Sequence, residues 1–162
     1  MVDTGIILRW FSNELTLRME EKGFTHRHVA LNSRTMPHNI IDYMNGKNFP
    51  RPWTLVLIAE CLECSIDELL GYEGIEYNHS PRTERAFYKY PNEDSFTPYL
   101  RNRIVQKMSE LKMDEEKLAT QSGVTLQTIK RYLCVHSGAP QMPNLIRICD
   151  AFECTPSELI GY

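Results

Sequence analysis

No apolar run in these 162 residues approaches the roughly 18 that a membrane-spanning helix needs. Basic charge is not in excess either. Eighteen Lys and Arg stand against 21 Asp and Glu, a formal net charge of −3 at pH 7. A global positive field is therefore excluded as the means of holding a polyanion. Met1 to Leu8 has no basic stretch ahead of its short apolar segment, so no signal peptide is expected. There is no glycine-rich phosphate loop and no His/Cys/Asp set at catalytic spacing, so neither an enzyme nor a cofactor is expected. Five cysteines make an odd number in a chain without an export signal, which reads as reduced thiols in a cytoplasmic protein. Cys61 and Cys64 have the C-x-x-C spacing of a metal or redox pair. Packed core thiols are the expectation instead, for Cys134 and Cys149 as well.

What the chain does have is a repetition. Glu63-Cys64-Ser65-Ile66-Asp67-Glu68-Leu69-Leu70-Gly71-Tyr72 returns as Glu153-Cys154-Thr155-Pro156-Ser157-Glu158-Leu159-Ile160-Gly161-Tyr162. The period is far longer than that of a solenoid, and it implies two copies of one small domain. The second copy has Ala151 where the first has Cys61, so a metal pair is not reproduced. Hydrophobic residues make up 42%, too many for a disordered chain. The expected division is residues 1–72, a linker over 73–98, and residues 99–162. Lys and Arg against Asp and Glu number 7 to 9, 3 to 5 and 8 to 7 in these stretches, so the second copy is the less acidic.

Each copy reads as five helices. Ile7, Trp10, Phe11, Leu15 and Met19 fall at helical spacing over residues 6–22, behind Asp3 or Thr4 as cap. Thr25 caps a second helix and Pro37 opens a third, with Ile40, Tyr43 and Met44 on one face. A fourth follows Pro52-Trp53, and Ser65-x-x-Glu68 is a capping box for a fifth. The second copy repeats this with Ile104, Met108 and Leu111, then Asp114, Thr125 and Thr155 as caps. Matched positions lie 89 apart before the loop that follows helix three and 90 apart after it, as in Tyr43/Tyr132 and Leu55/Leu145. The fold class expected is all-α. Between the copies, Tyr77, Phe87, Tyr88, Tyr90 and Phe96 lie among charges and prolines, and Ser80-Pro81 could start a short helix through Lys89. Those aromatics either pack on the domains or form an interface, between the copies or between chains.

With Pro37, Ile40, Asn45-Gly46-Lys47, Pro50, Leu55, Ile58-Ala59 and Asp67-Glu68-Leu69-Leu70, the stretch from Met36 to Leu70 resembles the phage-repressor and Cro type (XRE-like) of helix-turn-helix domain. Asp114 to Thr125 resembles that family's two central helices and the turn between them. The resemblance implies two tandem five-helix lambda-repressor-like domains joined by an aromatic-rich linker. It implies duplex DNA as the partner, each third helix entering a major groove, and a repressor-like regulator of transcription.

Carried over by position, the implied base-reading residues are His38, Asn39, Ile41 and Asp42 in the first copy and Gln127, Thr128, Lys130 and Arg131 in the second. Asn39 and Gln127 suit adenine, and Lys130 and Arg131 suit guanine or phosphate. Implied phosphate contacts are His26 and Arg27 at the start of helix two, Asn45, Lys47 and Asn48 in the first loop, and His136 in the second. Asp42 departs from the family pattern, and so does Arg34, in a turn where glycine is usual. Glu115 and Glu116 fit a phosphate contact poorly. These carboxylates motivate the alternative, a protein-binding adaptor or antirepressor on the same scaffold. A homodimer with four heads is a further possibility.

Overall fold

Asp3 starts the first helix. Its side chain accepts from the backbone N–H groups of Gly5 and Ile6, so α1 (Thr4–Lys22) opens at Thr4 rather than at residue 6. The computed structural model describes residues 1–77 and 91–161, which are all-α, with no strand among them. After α1 come α2 (His26–Asn32), α3 (Pro37–Met44), α4 (Pro52–Leu62) and α5 (Ile66–Leu70). Then come α6 (Glu93–Glu110), α7 (Glu115–Ser122), α8 (Leu126–Leu133), α9 (Met142–Ala151) and α10 (Pro156–Ile160). The short helix expected over Ser80 to Lys89 lies outside the described residues, as do Phe87, Tyr88 and Tyr90.

Residues 93–98, expected to end the linker, instead form the first turns of α6. Asn92 caps that helix by accepting from the Ser95 N–H, while Pro98 inside it lacks the donor a helix needs. Burial outweighs that loss. Phe96 is 3% exposed, and its ring centroid is 5.3 Å from that of Trp53 on α4. One linker aromatic thus bridges the first five helices and the second five.

Burial explains most of the remaining order. Ile7, Phe11, Leu15 and Met19 line the inner face of α1 and pack toward α3, α4 and α5. Phe11 sits 5.9 Å from Phe49 and 6.4 Å from Tyr43, ring centre to centre. It is fully buried, and its replacement by alanine would cost about 3–5 kcal/mol. Leu100, Ile104 and Met108 do the same for α6, with Leu118, Ile129, Leu145 and Ile148. These apolar groups join into one cluster spanning both sets of five.

Three core expectations fail. Trp10 is 53% exposed, because it lies over the end of α5 rather than inside the core. Leu111 is the C-cap of α6 and is exposed, being past the last inward turn. Cys134 is exposed because it follows α8, where the chain turns outward.

The repeated ten-residue stretch is a helix stop followed by a helix start. Glu63 and Glu153 take left-handed backbone conformations, φ 53° and 52°, and the next N–H closes the preceding helix, Cys64 onto Ala59 and Cys154 onto Cys149. Ser65 with Glu68, and Thr155 with Glu158, then form full capping boxes. Gly71 and Gly161 end α5 and α10 at φ 75° and 76°. A Cβ on Gly71 would stand 2.8 Å from the Trp10 ring, and one on Gly161 would collide with Tyr99, which occupies the position matching Trp10.

The first five helices also meet the second five directly. Asp67 on α5 accepts from the backbone N–H of Ser157 through Oδ1 at 2.9 Å. Ser157 on α10 accepts from the backbone N–H of Asp67 through Oγ at 3.0 Å. Asp67 Oδ2 accepts from Ile75 N at 3.0 Å, so both oxygens of this fully buried carboxylate are engaged.

Candidate nucleic-acid interface

The outward face of α3 is built by what lies behind it. Ile40 and Tyr43 are buried, which turns His38 and Ile41 to the surface and leaves Asn39 and Asp42 half-buried. Burial pushes the Tyr43 phenol above its ordinary value, so it stays a neutral group behind the helix. Asn39 is already oriented, since its Nδ2 donates to Thr35 Oγ1 at 2.9 Å. Lys47 Nζ donates to Asp42 Oδ1 at 2.7 Å. The carboxylate that departs from the family pattern is therefore matched by the lysine expected to hold phosphate.

On α8 the same construction places Ile129 and Tyr132 inward and Gln127, Lys130 and Arg131 outward. Thr125 caps the helix, and its hydroxyl donates to that of Thr128 at 2.8 Å. Tyr132 is fixed from behind, its hydroxyl accepting from Asn144 Nδ2 at 2.7 Å. The Arg131 guanidinium carbon lies 5.5 Å from the centre of the Tyr132 ring. Lys130 Nζ stands 3.9 Å from Glu115 Oε2 at the start of α7. Two of the three poorly fitting carboxylates, Asp42 and Glu115, thus sit beside a lysine. Exposed pairs of this kind are worth about 0–1 kcal/mol, so each lysine can turn to another anion at small cost.

Around these faces, His26 is half-buried and Arg27 exposed at the start of α2. Asn45, Lys47, Asn48 and His136 are exposed on the loops that follow α3 and α8. The turn ahead of α3 holds Arg34 at φ 51°, and the matching Gly123 sits at φ 68°. A side chain in this left-handed conformation is strained, and Arg34 uses that side chain, donating from Nη1 to the Pro91 carbonyl at 3.1 Å.

One bracing residue has no signal in the sequence. Buried Arg101 on α6 donates from Nη2 to the Ser137 carbonyl at 3.2 Å and so holds the loop after α8. At the matching position Ser12 donates to the Met44 carbonyl at the end of α3. The longer loop is held by the longer side chain. The repeat alignment pairs Ser12 with Arg101, but charge in a helix normally marks a solvated face.

No disulfide joins any of the five cysteines, and no group of three or more His, Cys, Asp or Glu among the described residues could hold a metal ion. Burial pushes the Cys64 thiol up to about 12. Among the described residues, no helix is long and apolar enough to cross a membrane.

Residues 103–162 match the family model of the Cro/C1-type HTH DNA-binding domain. The match begins inside α6 and takes in α7, the turn at Gly123 and α8. One such domain is found, and residues 1–72 lie outside it. No match is found among curated proteins or among solved structures.

Proposed function

We propose that the chain binds duplex DNA by sequence and regulates transcription in the manner of a repressor. In this reading it has two reading heads, residues 1–72 and the segment that follows Pro91, and it works in the cytoplasm. The single observation that carries the reading is the coincidence of the family match with α8, whose outward face is Gln127, Lys130 and Arg131. A cationic, amide-bearing helix face backed by a rigid core has what major-groove reading requires. α3 is the second reader, with His38 and Asn39 offering donors and acceptors. The remaining phosphate contacts are those of His26, Arg27, Asn45, Lys47, Asn48 and His136. Two linked heads raise each other's effective concentration, so each can be weak alone. That accommodates the net charge of −3.

Fluorescence-anisotropy titration on random-sequence duplex at several salt concentrations tests the reading. Affinity should fall with salt along a slope that implies several phosphate contacts. The pairing of Lys47 with Asp42 and of Lys130 with Glu115 favours the rival, an adaptor or antirepressor that serves a protein partner. Absence of binding even at low salt would overturn the DNA reading.

A further inference from the structure

We infer that one chain reads two half-sites of opposite orientation and unlike base sequence, because its two halves face each other through an internal two-fold relation. This rests on the DNA reading above. Asp67 and Ser157 occupy matching positions in the repeat, and each accepts from the other's backbone N–H, at 2.9 and 3.0 Å. Contact between like positions is the mark of an isologous interface. Halves related by simple translation would join unlike positions, without the reciprocal contact.

Two further places obey the same rule. In one, Arg34 in the turn between α2 and α3 bonds to Pro91, just ahead of α6. In the other, Gly123 in the turn between α7 and α8 lies against Met1, just ahead of α1. Each turn thus meets the other half's leading segment. The clefts between the halves are paired as well. One, of about 520 Å³, lies between the start of α6, the loop after α8, and Arg51. Its counterpart, of about 460 Å³, lies between the start of α1, the loop after α3, and Gln141. Thr4 matches Glu93, Leu8 matches Thr97, and Arg51 matches Gln141.

B-form DNA carries its own two-fold axes, perpendicular to the duplex. Two groove-reading helices related by such a rotation therefore meet half-sites that run in opposite directions. The backbone relation does not extend to the reading side chains. His38 stands where α8 has Gln127, Asn39 where it has Thr128, Ile41 where it has Lys130, and Asp42 where it has Arg131. The half-sites are therefore inverted in orientation and different in sequence. Because α5 and α10 already meet within the chain, one chain fills one site.

Selection of bound sequences from a random duplex pool with the full chain is the test. It is followed by titration of the selected duplex and of a copy with one half-site turned end for end at the same spacing. The selected duplex should carry two unlike half-sites at fixed spacing and take up one chain, as measured by analytical ultracentrifugation. Turning one half-site should lower affinity on the order of tenfold or more, toward that of a single half-site. Arg131→Ala should relax base preference in one half-site alone. Equal affinity for the turned duplex overturns the inference while the DNA reading stands, as does enrichment of a single half-site or of a palindrome filled by two chains. A pool with no enriched sequence, together with no salt-dependent binding, removes the DNA reading and this inference with it.

Discussion

Lys47 closes an ion pair onto Asp42 from the loop beyond α3, with 2.7 Å between Nζ and Oδ1. Its side chain is 64% exposed, so the lysine is held by one carboxylate and otherwise by water. Asp42→Asn should release it and remove a charge that repels phosphate. The expected result is several-fold tighter binding to random duplex and a steeper salt dependence, by about one phosphate contact. The double variant Asp42→Asn, Lys47→Ala should lose the steeper slope. If anisotropy shows the single variant binding as the native chain does, Asp42 does not face DNA.

On α8 the expected signs are opposite. Lys130→Ala and Arg131→Ala should each weaken binding to a selected duplex by about 1–3 kcal/mol if they touch bases or desolvated phosphate. Glu115→Gln frees Lys130 from its partner at 3.9 Å and should strengthen binding. Unchanged affinity in both alanine variants would give α8 a non-reading role.

Gly71 and Gly23 separate backbone strain from steric clash. Both have positive φ, 75° and 64°, but a Cβ at Gly23 meets nothing within 4 Å while one at Gly71 meets the Trp10 indole. Gly23→Ala should cost about 1–2 kcal/mol in urea unfolding, the left-handed backbone cost alone. Gly71→Ala should cost more, and Trp10→Ala in that background should recover the difference. Equal losses at the two glycines would show that the indole moves aside freely.

Cys64 gives the chain an alkaline limit. Its thiol rises from the ordinary 9.0 to about 12 by burial, so the folded state keeps a proton that the unfolded chain releases. The contribution is whole below about pH 9 and declines as pH climbs toward 12. Burial raises Cys149 and Tyr72 in the same direction. Cys64→Ala should therefore flatten the fall in stability above pH 9 in part, and not at all below it. An identical pH profile for the variant would mean that the thiol ionises in place. A maleimide at neutral pH should label exposed Cys134 first and leave Cys64 and Cys149 intact until the chain unfolds.

Helix caps were legible because they act within a few residues. Asp3, Thr25, Ser65, Asp114, Thr125 and Thr155 all accept the backbone hydrogen bonds that their positions suggest. So was most of the core, where apolar spacing alone picks out Ile7, Phe11, Leu15 and Met19. The start of α6 was not, since Pro98 argues locally against a helix and the reason for one is Trp53, far away in the chain. Trp10 misled for the same reason, because its partner is the glycine that ends another helix. At the candidate interface, the identities on α3 and α8 were open to sequence, while the pairings Lys47–Asp42 and Lys130–Glu115 were not. The first depends on how the loop after α3 turns back, and the second on how α7 lies against α8.

Arg34 makes the two halves unequal in self-sufficiency. The second half sets its tight turn with Gly123, whose conformation costs little in any surroundings. The first half sets the matching turn with an arginine whose compensating bond ends on Pro91, just ahead of α6. The order just ahead of α3 is thus completed by a residue the ribosome adds much later. During synthesis that bond can form only once Pro91 has been added, whereas the turn at Gly123 asks for nothing later in the chain.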